Sequence, residues 1–174
     1  MEFDVVDLPE TEHPTAGDEV PVFTRPLVNA EYWDDVSLAD LYEDEPVLLV
    51  FYPMDGAFPA TYIWNELRDR KFDEYDLTVV GLSISTPYEH ESFIEDRTLE
   101  ETGFRLFSDP TNGVAKQYDI AHSLDGMAGI SEPRPATFII DTDGIVQYSW
   151  VAKEWPAFPD YDDLESAVAT ELTA

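Results

Sequence analysis

The chain of 174 residues carries 38 Asp and Glu against 9 Lys and Arg, a formal net charge of −29. Its length suits a single domain with a full hydrophobic core, and so strong an acidic excess argues against nucleic acid or an anionic membrane as a partner. The longest apolar run spans about seven residues, too few for a membrane span, and Met1 to Pro9 lacks the basic and apolar regions of a secretory signal. These features indicate a soluble cytoplasmic protein.

The acidic residues are spread over the whole chain, which argues against a disordered acidic tail. In dilute buffer such a surface repels itself, whereas in molar salt the Debye length falls to about 3 Å and the repulsion is screened. The composition is therefore typical of a halophilic protein, with an ordinary acidic protein as the alternative. We expect the melting temperature to rise steeply between low and molar salt; a melting temperature that ignores salt would remove this interpretation.

Cysteine is absent from the sequence. Disulfide bonds, thiolate metal sites and every thiol-based reaction within the chain are therefore excluded. The three histidines, His13, His90 and His122, stand in different segments beside acidic residues, without a spacing that would pair two of them on one metal. We expect exposed, solvated imidazoles, no metal and no cofactor.

The first part of the chain divides into an extension and the start of a domain. Residues 1–16 lack clear periodicity and predict a loose or strand-like N-terminal extension before a domain over 17–174. Gly17 to Val28 alternates and contains two prolines, which predicts short edge strands. Ser37 to Tyr42 predicts a short helix capped by Ser37.

The centre of the domain is predicted to begin with Pro46 to Tyr52, which is apolar throughout, as a strand buried on both faces should be. A loop then leads to a helix that begins near Pro59 or Ala60. Leu77 to Ser85 predicts a second central strand. Thr86-Pro87-Tyr88-Glu89 has the pattern of a capping box, and it predicts a helix that runs to about Thr98.

The last third of the chain predicts shorter elements and a hairpin. The predicted segments are a strand at Phe104–Phe107, a helix at Val114–Tyr118, a loop at Leu124–Pro135, strands at Ala136–Asp141 and Ile145–Val151, and a final helix capped by Asp160. Thr142-Asp143-Gly144 between the last two strands is a strong hairpin signal. The order of elements indicates an α/β fold, in which a mixed sheet has helices on both faces.

Several of these segments together resemble the peroxiredoxins of the alkyl hydroperoxide reductase/thiol-specific antioxidant family. The resemblance covers about residues 17–172 and rests on blocks in the family's order and spacing: GDEVPVFTRPLV, VSLADL, VLLVFYP, GLSISTP, FSDPTNGVAKQYDI and ATFIIDTDGIVQYSWV. It implies a thioredoxin-like three-layer α/β/α sandwich around a central mixed β-sheet. The family would imply a thiol peroxidase, an oxidoreductase whose thiolate attacks the peroxide O–O bond.

The family's reactive motif is Pro-x-x-x-Thr-x-x-Cys, and the chain departs from it. By position, Pro53 matches the proline, Ala57 stands where the threonine hydroxyl should be, and Ala60 stands where the peroxidatic cysteine should be. A family-like Thr61 follows. Because a methyl group cannot act as a nucleophile, we expect no thiol peroxidase activity from this chain.

The family's arginine is also displaced. Three residues before the phenylalanine of the FIID strand, where the arginine normally stands, the chain has Pro135, and Arg134 comes one residue earlier. Thioredoxins carry a cis-proline in this region, so the resemblance makes Pro135 a candidate for a cis peptide. A cation beside a helix start could hold an anion, and a surface ion pair with the abundant acid is an equally good interpretation of Arg134.

Two functions follow from the resemblance. The first is a non-catalytic redoxin-fold protein that binds a protein partner or a small anionic ligand, with Arg134, Thr61 and Tyr62 as candidate ligand-binding residues. The second is a thiol peroxidase seen as a Cys-to-Ala inactive variant at position 60. A homodimer is plausible from the resemblance.

Overall fold

The structure, a computed structural model, describes residues 4–173. Its helices and strands are, in chain order, β1 (Val6–Asp7), β2 (Thr24–Val28), β3 (Trp33–Ser37), α1 (Leu38–Tyr42), β4 (Val47–Phe51), α2 (Phe58–Asp69), β5 (Thr78–Ser83), α3 (Pro87–Asp96), β6 (Arg105–Ser108), α4 (Gly113–Gln117), β7 (Ala121–His122), β8 (Glu132–Pro133), β9 (Ala136–Ile140), β10 (Val146–Val151), β11 (Glu154–Trp155) and α5 (Tyr161–Thr173). Two single-turn 3-10 helices follow α2 and α3, at Phe72–Glu74 and Glu100–Thr102.

A seven-stranded sheet has the order β10-β9-β4-β5-β6-β2-β3. β4 pairs parallel with β5, and β5 pairs parallel with β6, whereas β9 lies antiparallel on the other side of β4. The sheet is therefore mixed, with β4 at its centre. All five residues of β4 are fully buried because helices cover both faces of the sheet.

The side chains of β4 alternate between two hydrophobic cores, which makes the domain three-layered. Leu48 and Val50 point into the core under α2, α3 and α5, where Ile63, Trp64 and Leu67 of α2 are buried. Val47, Leu49 and Phe51 point into the opposite core, which is completed by α1 and α4. The predicted α/β/α sandwich is confirmed.

Most predicted elements are confirmed within a few residues. The capping box at Thr86 is fully formed, since its hydroxyl accepts from the Glu89 amide and the Glu89 carboxylate accepts from the Thr86 amide. The Ser37 cap on α1 and the Asp160 cap on α5 are also present. The predicted hairpin appears as the antiparallel pair of β9 and β10.

The prediction of edge strands over Gly17 to Val28 is wrong. β2 lies between β6 and β3, and β3 forms that edge of the sheet. β3 has consecutive acidic residues, Asp34 and Asp35, both exposed, and such a sequence does not suggest a strand. Charge on the outermost strand discourages pairing with another chain.

The N-terminal extension is strand-like where the structure describes it, since β1 pairs with β11 through Val6 and Asp7. Residues 1–3 and residue 174 lie outside the described residues, and the domain boundary at residue 16 stays a prediction. No helix in the described chain is long and apolar enough to cross a membrane.

Candidate functional site

The first candidate position is the start of α2, directly after the central strand. α2 begins at Phe58, with Ala57 as its N-cap and Pro59 in its first turn. The side chain of Ala60 lies in the same turn and is fully buried against the core under α2. The structure thus places Ala60 in the first turn after β4, where the family motif carries its sulfur.

The start of α2 lacks the thiol and the threonine hydroxyl on which the family's peroxide chemistry depends. Ala57 makes no side-chain hydrogen bond to cap the helix, and the first turn contains no acidic residue. The amides of a helix start favour an anion such as a thiolate, yet Ala60 presents only a methyl group. Ala60 therefore has no side-chain atom that could act as a nucleophile.

A buried polar network occupies the loop between β4 and α2. The Tyr52 hydroxyl donates to Asp55 Oδ1 at 2.6 Å, and Asp55 Oδ2 lies 2.8 Å from Nδ1 of His90. Nε2 of His90 lies 2.9 Å from the carbonyl oxygen of Phe107. We call Tyr52, Asp55, His90 and Ser85 the Asp55 network. It fastens the loop to α3 and β6.

The expectation of a solvated His90 is wrong: its side chain is fully buried. One ring nitrogen faces the Asp55 carboxyl group and the other faces the Phe107 carbonyl, so both are engaged within the protein. No ring nitrogen is left to act on a substrate, so His90 has a structural role. Burial, followed by the charge of Asp55, raises the pKa of Tyr52 well above its usual value.

Ser85 completes the network. Its hydroxyl accepts a 2.8 Å hydrogen bond from the Asp55 amide, and its carbonyl accepts one of 2.6 Å from the Ser108 hydroxyl. These bonds tie the loop before α2 to the ends of β5 and β6. The Ser83 hydroxyl in turn accepts a hydrogen bond from the Ser85 amide.

Arg134 is not a surface residue. It is 4% exposed, and its Nη1 donates to the carbonyl oxygens of Pro9 at 2.8 Å and Ala152 at 3.4 Å. The surface ion pair is therefore wrong, because the side chain is enclosed by backbone carbonyls. Burial lowers the pKa of Arg134, an effect that the nearby Asp119 opposes.

The residue after Arg134 also differs from expectation. Among residues 4–173 the one cis peptide bond precedes Pro156, after Trp155, and the peptide before Pro135 is trans. Pro135 instead contributes its carbonyl, which accepts a hydrogen bond from the Ala152 amide at 2.9 Å. The predicted cis-proline is wrong for this chain.

The three candidate ligand-binding residues lie at three separate cavities. Arg134 lines a cavity of about 440 Å³ beneath the N-terminal segment. Tyr62 lines one of about 470 Å³ between α2 and the start of α5. Thr61 lines one of about 450 Å³ beside Asp55 and α3. These residues do not form one site, and no group of three or more His, Asp or Glu side chains among residues 4–173 is placed to hold a metal ion.

Tyr62 belongs to an exposed group of rings that we call the aromatic surface, formed by Phe58, Tyr62, Pro156 and Phe158. The Tyr62 ring is 62% exposed and lies 5.9 Å from the ring of Phe158, which is 40% exposed. Trp64, two residues on, is fully buried beside Tyr52. Tyr62 and Trp64 therefore lie on different faces of α2: Tyr62 faces solvent and Trp64 faces the core.

The arrangement of β4, the loop and α2 on a mixed sheet is that of a thioredoxin-like peroxiredoxin fold. The chain belongs to the AhpC/TSA family, whose model matches residues 16–149. The crystal structure of peroxidoxin BcpB from Mycobacterium tuberculosis aligns with a TM-score of 0.72 and 29% identity, over 92% of this chain and 97% of that one.

Two relatives in this family share 27% and 30% of the aligned residues with this chain. The chain is 30% identical to the chloroplastic 2-cysteine peroxiredoxin of Chattonella marina var. antiqua, over 78% of this chain and 69% of that protein. It is 27% identical to the chloroplastic 2-Cys peroxiredoxin BAS1 of Spinacia oleracea over 79% of its length, and it spans about half of that relative, 52%. Both names refer to cysteine, which this chain lacks.

Sequence reasoning missed the Asp55 network and the partners of Arg134. Asp55 and His90 are 35 residues apart, and His90 stands among acidic helix residues that suggest an exposed face. One signal was available: His90 lies three residues before Phe93, on the face of α3 that points inward. Nothing in the sequence indicates that Pro9 reaches Arg134.

Proposed function

We propose that this chain is a non-catalytic binding protein built on the peroxiredoxin scaffold. The observation that carries the proposal is the fully buried Ala60 in the first turn of α2, in a chain without cysteine. Peroxide reduction in this family needs a thiolate to attack the O–O bond. In the loop before α2, the side chains of the Asp55 network are committed to one another.

The alternative is a thiol peroxidase that this chain represents as an inactive Cys-to-Ala variant. Ala60→Cys tests it, with peroxide consumption measured in the presence of a small dithiol reductant. We expect the chain itself to match buffer, and Ala60→Cys to stay far below ordinary peroxidase rates. The reasons are that Ala57 offers no hydroxyl and that Arg134 is held by the Pro9 carbonyl.

A matched control separates a restored site from a merely added thiol. Ala115→Cys places a thiol at another fully buried alanine, in the short helix α4. Equal low rates from Ala60→Cys and Ala115→Cys would support the non-catalytic function. Recovery of Ala60→Cys alone to ordinary peroxidase rates would support the alternative, and peroxide reduction by the cysteine-free chain above buffer and trace metal would contradict both.

The aromatic surface supports self-association as one form of binding. A two-fold interface brings a surface against a copy of itself, and elsewhere on a chain of net charge −29 such contact opposes like charges. The four residues of the aromatic surface carry no charge, and the Glu66 carboxylate that borders it is paired with Arg70 at 2.7 Å, so two copies can meet there with little of that penalty. The partner proposed for this surface is a second copy of the chain.

Light scattering in molar salt tests the dimer. We expect a dimeric mass for the chain, a monomeric mass for Tyr62→Glu, and a dimeric mass for the control Tyr88→Glu. Tyr88 is 74% exposed but lies on α3, outside the aromatic surface. A monomeric chain, or a dimer that survives Tyr62→Glu, would overturn the proposed interface.

A further inference from the structure

Three basic side chains meet in the cavity beneath the N-terminal segment. Arg134, Lys153 and His13 all line it, together with residues Asp7 to Thr11. Arg134 and Lys153 are two of only nine Lys and Arg in the chain. We call this cavity, of about 440 Å³, the basic cavity. Its residues come from the end of β1 and the segment that follows it, from Arg134 just before β9, and from the end of β10 and the two residues after it.

The guanidinium of Arg134 is only partly satisfied by the protein. Nη1 donates to the carbonyls of Pro9 and Ala152, and these bonds fix its orientation. Nε is buried without a hydrogen-bond partner among residues 4–173. Within the same described part of the chain no group accepts from Nη2, which keeps solvent access on the side of the cavity. A buried cation that lacks a facing carboxylate is costly unless an anion joins it.

The charges around His13 are mixed. Burial lowers the pKa of His13, the charge of Arg134 lowers it further, and Lys153 adds to that effect, whereas Asp119 opposes it. Arg134 and Lys153 therefore lie near enough to His13 to act with it on one bound anion, whereas the carboxylates of Asp7 and Glu10 line the exposed part of the cavity.

The neutral form of His13 can also donate. The hydroxyl of Thr11 lies 2.5 Å from Nδ1 of His13. When the hydroxyl donates to Nδ1, the ring proton resides on Nε2. The ring then offers an N–H group on the side away from Thr11.

We propose that the basic cavity binds a small anion, a carboxylate or a phosphate, through Arg134 with help from Lys153 and His13. A planar guanidinium suits the paired oxygens of either group. The exposed carboxylates of Asp7 and Glu10 line the same cavity and disfavour a long polyanion that would pass near them. The ligand is therefore compact, with its charge seated at Arg134.

Calorimetric titration of the full chain tests the proposal, with inorganic phosphate and succinate as separate probes at constant ionic strength. We expect at least one of them to bind with an affinity in the millimolar range or better. Phosphate binding alone would assign a phosphate ligand, and succinate binding alone would assign a carboxylate. No heat and no protection against thermal unfolding from either anion would overturn the proposal.

Variants locate the binding. Arg134→Met should weaken it by about 10- to 100-fold, the usual worth of a hydrogen bond to a charged group. Lys153→Met removes an exposed ammonium but keeps the backbone carbonyl that accepts from the Leu8 amide, so it should weaken binding several-fold without affecting folding. Lys116→Met, an exposed residue outside the basic cavity, removes the same charge and should leave affinity unchanged.

The outcomes remain distinct if a variant fails to fold. Circular dichroism shows whether Arg134→Met has kept its structure, and Lys153→Met tests the same cavity if it has not. Equal loss in Lys153→Met and Lys116→Met would show non-specific charge attraction and overturn the site. Peroxide consumption does not enter this test, so its result is independent of the non-catalytic function proposed above.

Discussion

Two polar regions of the same domain differ in how completely they are satisfied. In the Asp55 network, the tyrosine, carboxylate and imidazole bond to one another or to a carbonyl. Around Arg134 and the β7–β8 pair, by contrast, several buried polar atoms have no partner among residues 4–173, namely Asn112 Oδ1, His122 Nδ1, Glu132 Oε1 and Oε2 and Arg134 Nε. The other such atoms lie outside the Asp55 network, on α2 (Trp64 Nε1 and Asn65 Oδ1), β9 (Thr137 Oγ1) and α5 (Tyr161 Oη).

The difference separates a region whose polar side chains are paired with one another from a region whose unpaired polar groups are available to a ligand. A completed polar network rigidifies the loop before α2 and leaves nothing for a substrate. Buried polar groups without partners are rare in proteins and call for an explanation such as a ligand, water or strain. The family's reactive position thus lies beside the satisfied region, and the proposed anion site lies in the unsatisfied one.

The largest expected effect comes from breaking the Asp55 network. Asp55→Ala leaves the buried Tyr52 hydroxyl and the buried Nδ1 of His90 without their shared partner, which should cost about 1–3 kcal/mol for each group in the free energy of unfolding. Urea denaturation measures it. Asp69→Ala, which removes a 65% exposed carboxylate paired with Arg68, is the control and should change stability little. Similar losses in both variants would mean that the network contributes no more than a surface pair.

A smaller effect is expected where α2 packs on the sheet behind this network. A Cβ on Gly81 of β5 would collide with the ring of Trp64 and lie 2.8 Å from a methyl of Leu106. Gly81→Ala should therefore destabilise the domain by about 1–3 kcal/mol, measured by urea denaturation.

Gly56, in the loop before α2, offers a matched glycine. A Cβ there has no atom within 4 Å, so Gly56→Ala should be tolerated. If Gly81→Ala were tolerated as well, α2 would pack less tightly on the sheet than the contact with Trp64 implies. That result would weaken the contrast between the two regions.

The last effect is expected in the unsatisfied region, and it depends on pH. Burial, with the neighbouring Asp125 adding to it, raises the pKa of Glu132 from 4.5 to about 8. The folded state thus holds a proton that the unfolded state releases, so this residue favours folding less and less as pH rises from about 5 to 8. We expect Glu132→Gln to flatten that decline in the melting temperature.

The control for this prediction is Glu31→Gln, which changes an exposed carboxylate far from the region. Its melting temperature should follow the same pH dependence as the unchanged chain. His122 is paired with Glu132 between β7 and β8, so His122→Gln is measured in parallel. A decline that persists in Glu132→Gln would assign it to another group.

Sequence reasoning was most successful where local rules decide the structure. The apolar run of β4, the capping box at Thr86 and the turn after Ile140 each specify an element through their own residues. The position of Ala60 followed from the family motif, counted from Pro53. These features need no knowledge of distant contacts.

Sequence reasoning was least successful where distant segments meet. β3 pairs only because β2 provides a neighbour, since its acidic sequence lacks the pattern of a strand. His90 is buried because Asp55 faces it from another loop. The surroundings of Arg134 depend on residues more than a hundred positions earlier, and no local pattern carries that information.

The one-residue displacement of the arginine has a further consequence. Arg134 lies between β8 and β9, and Ala136 at the start of β9 pairs with Phe51 at the end of β4. The guanidinium of Arg134 is anchored to the carbonyl oxygens of Pro9 and Ala152, so its one positive charge belongs to the chamber under the leading segment rather than to the first turn of α2.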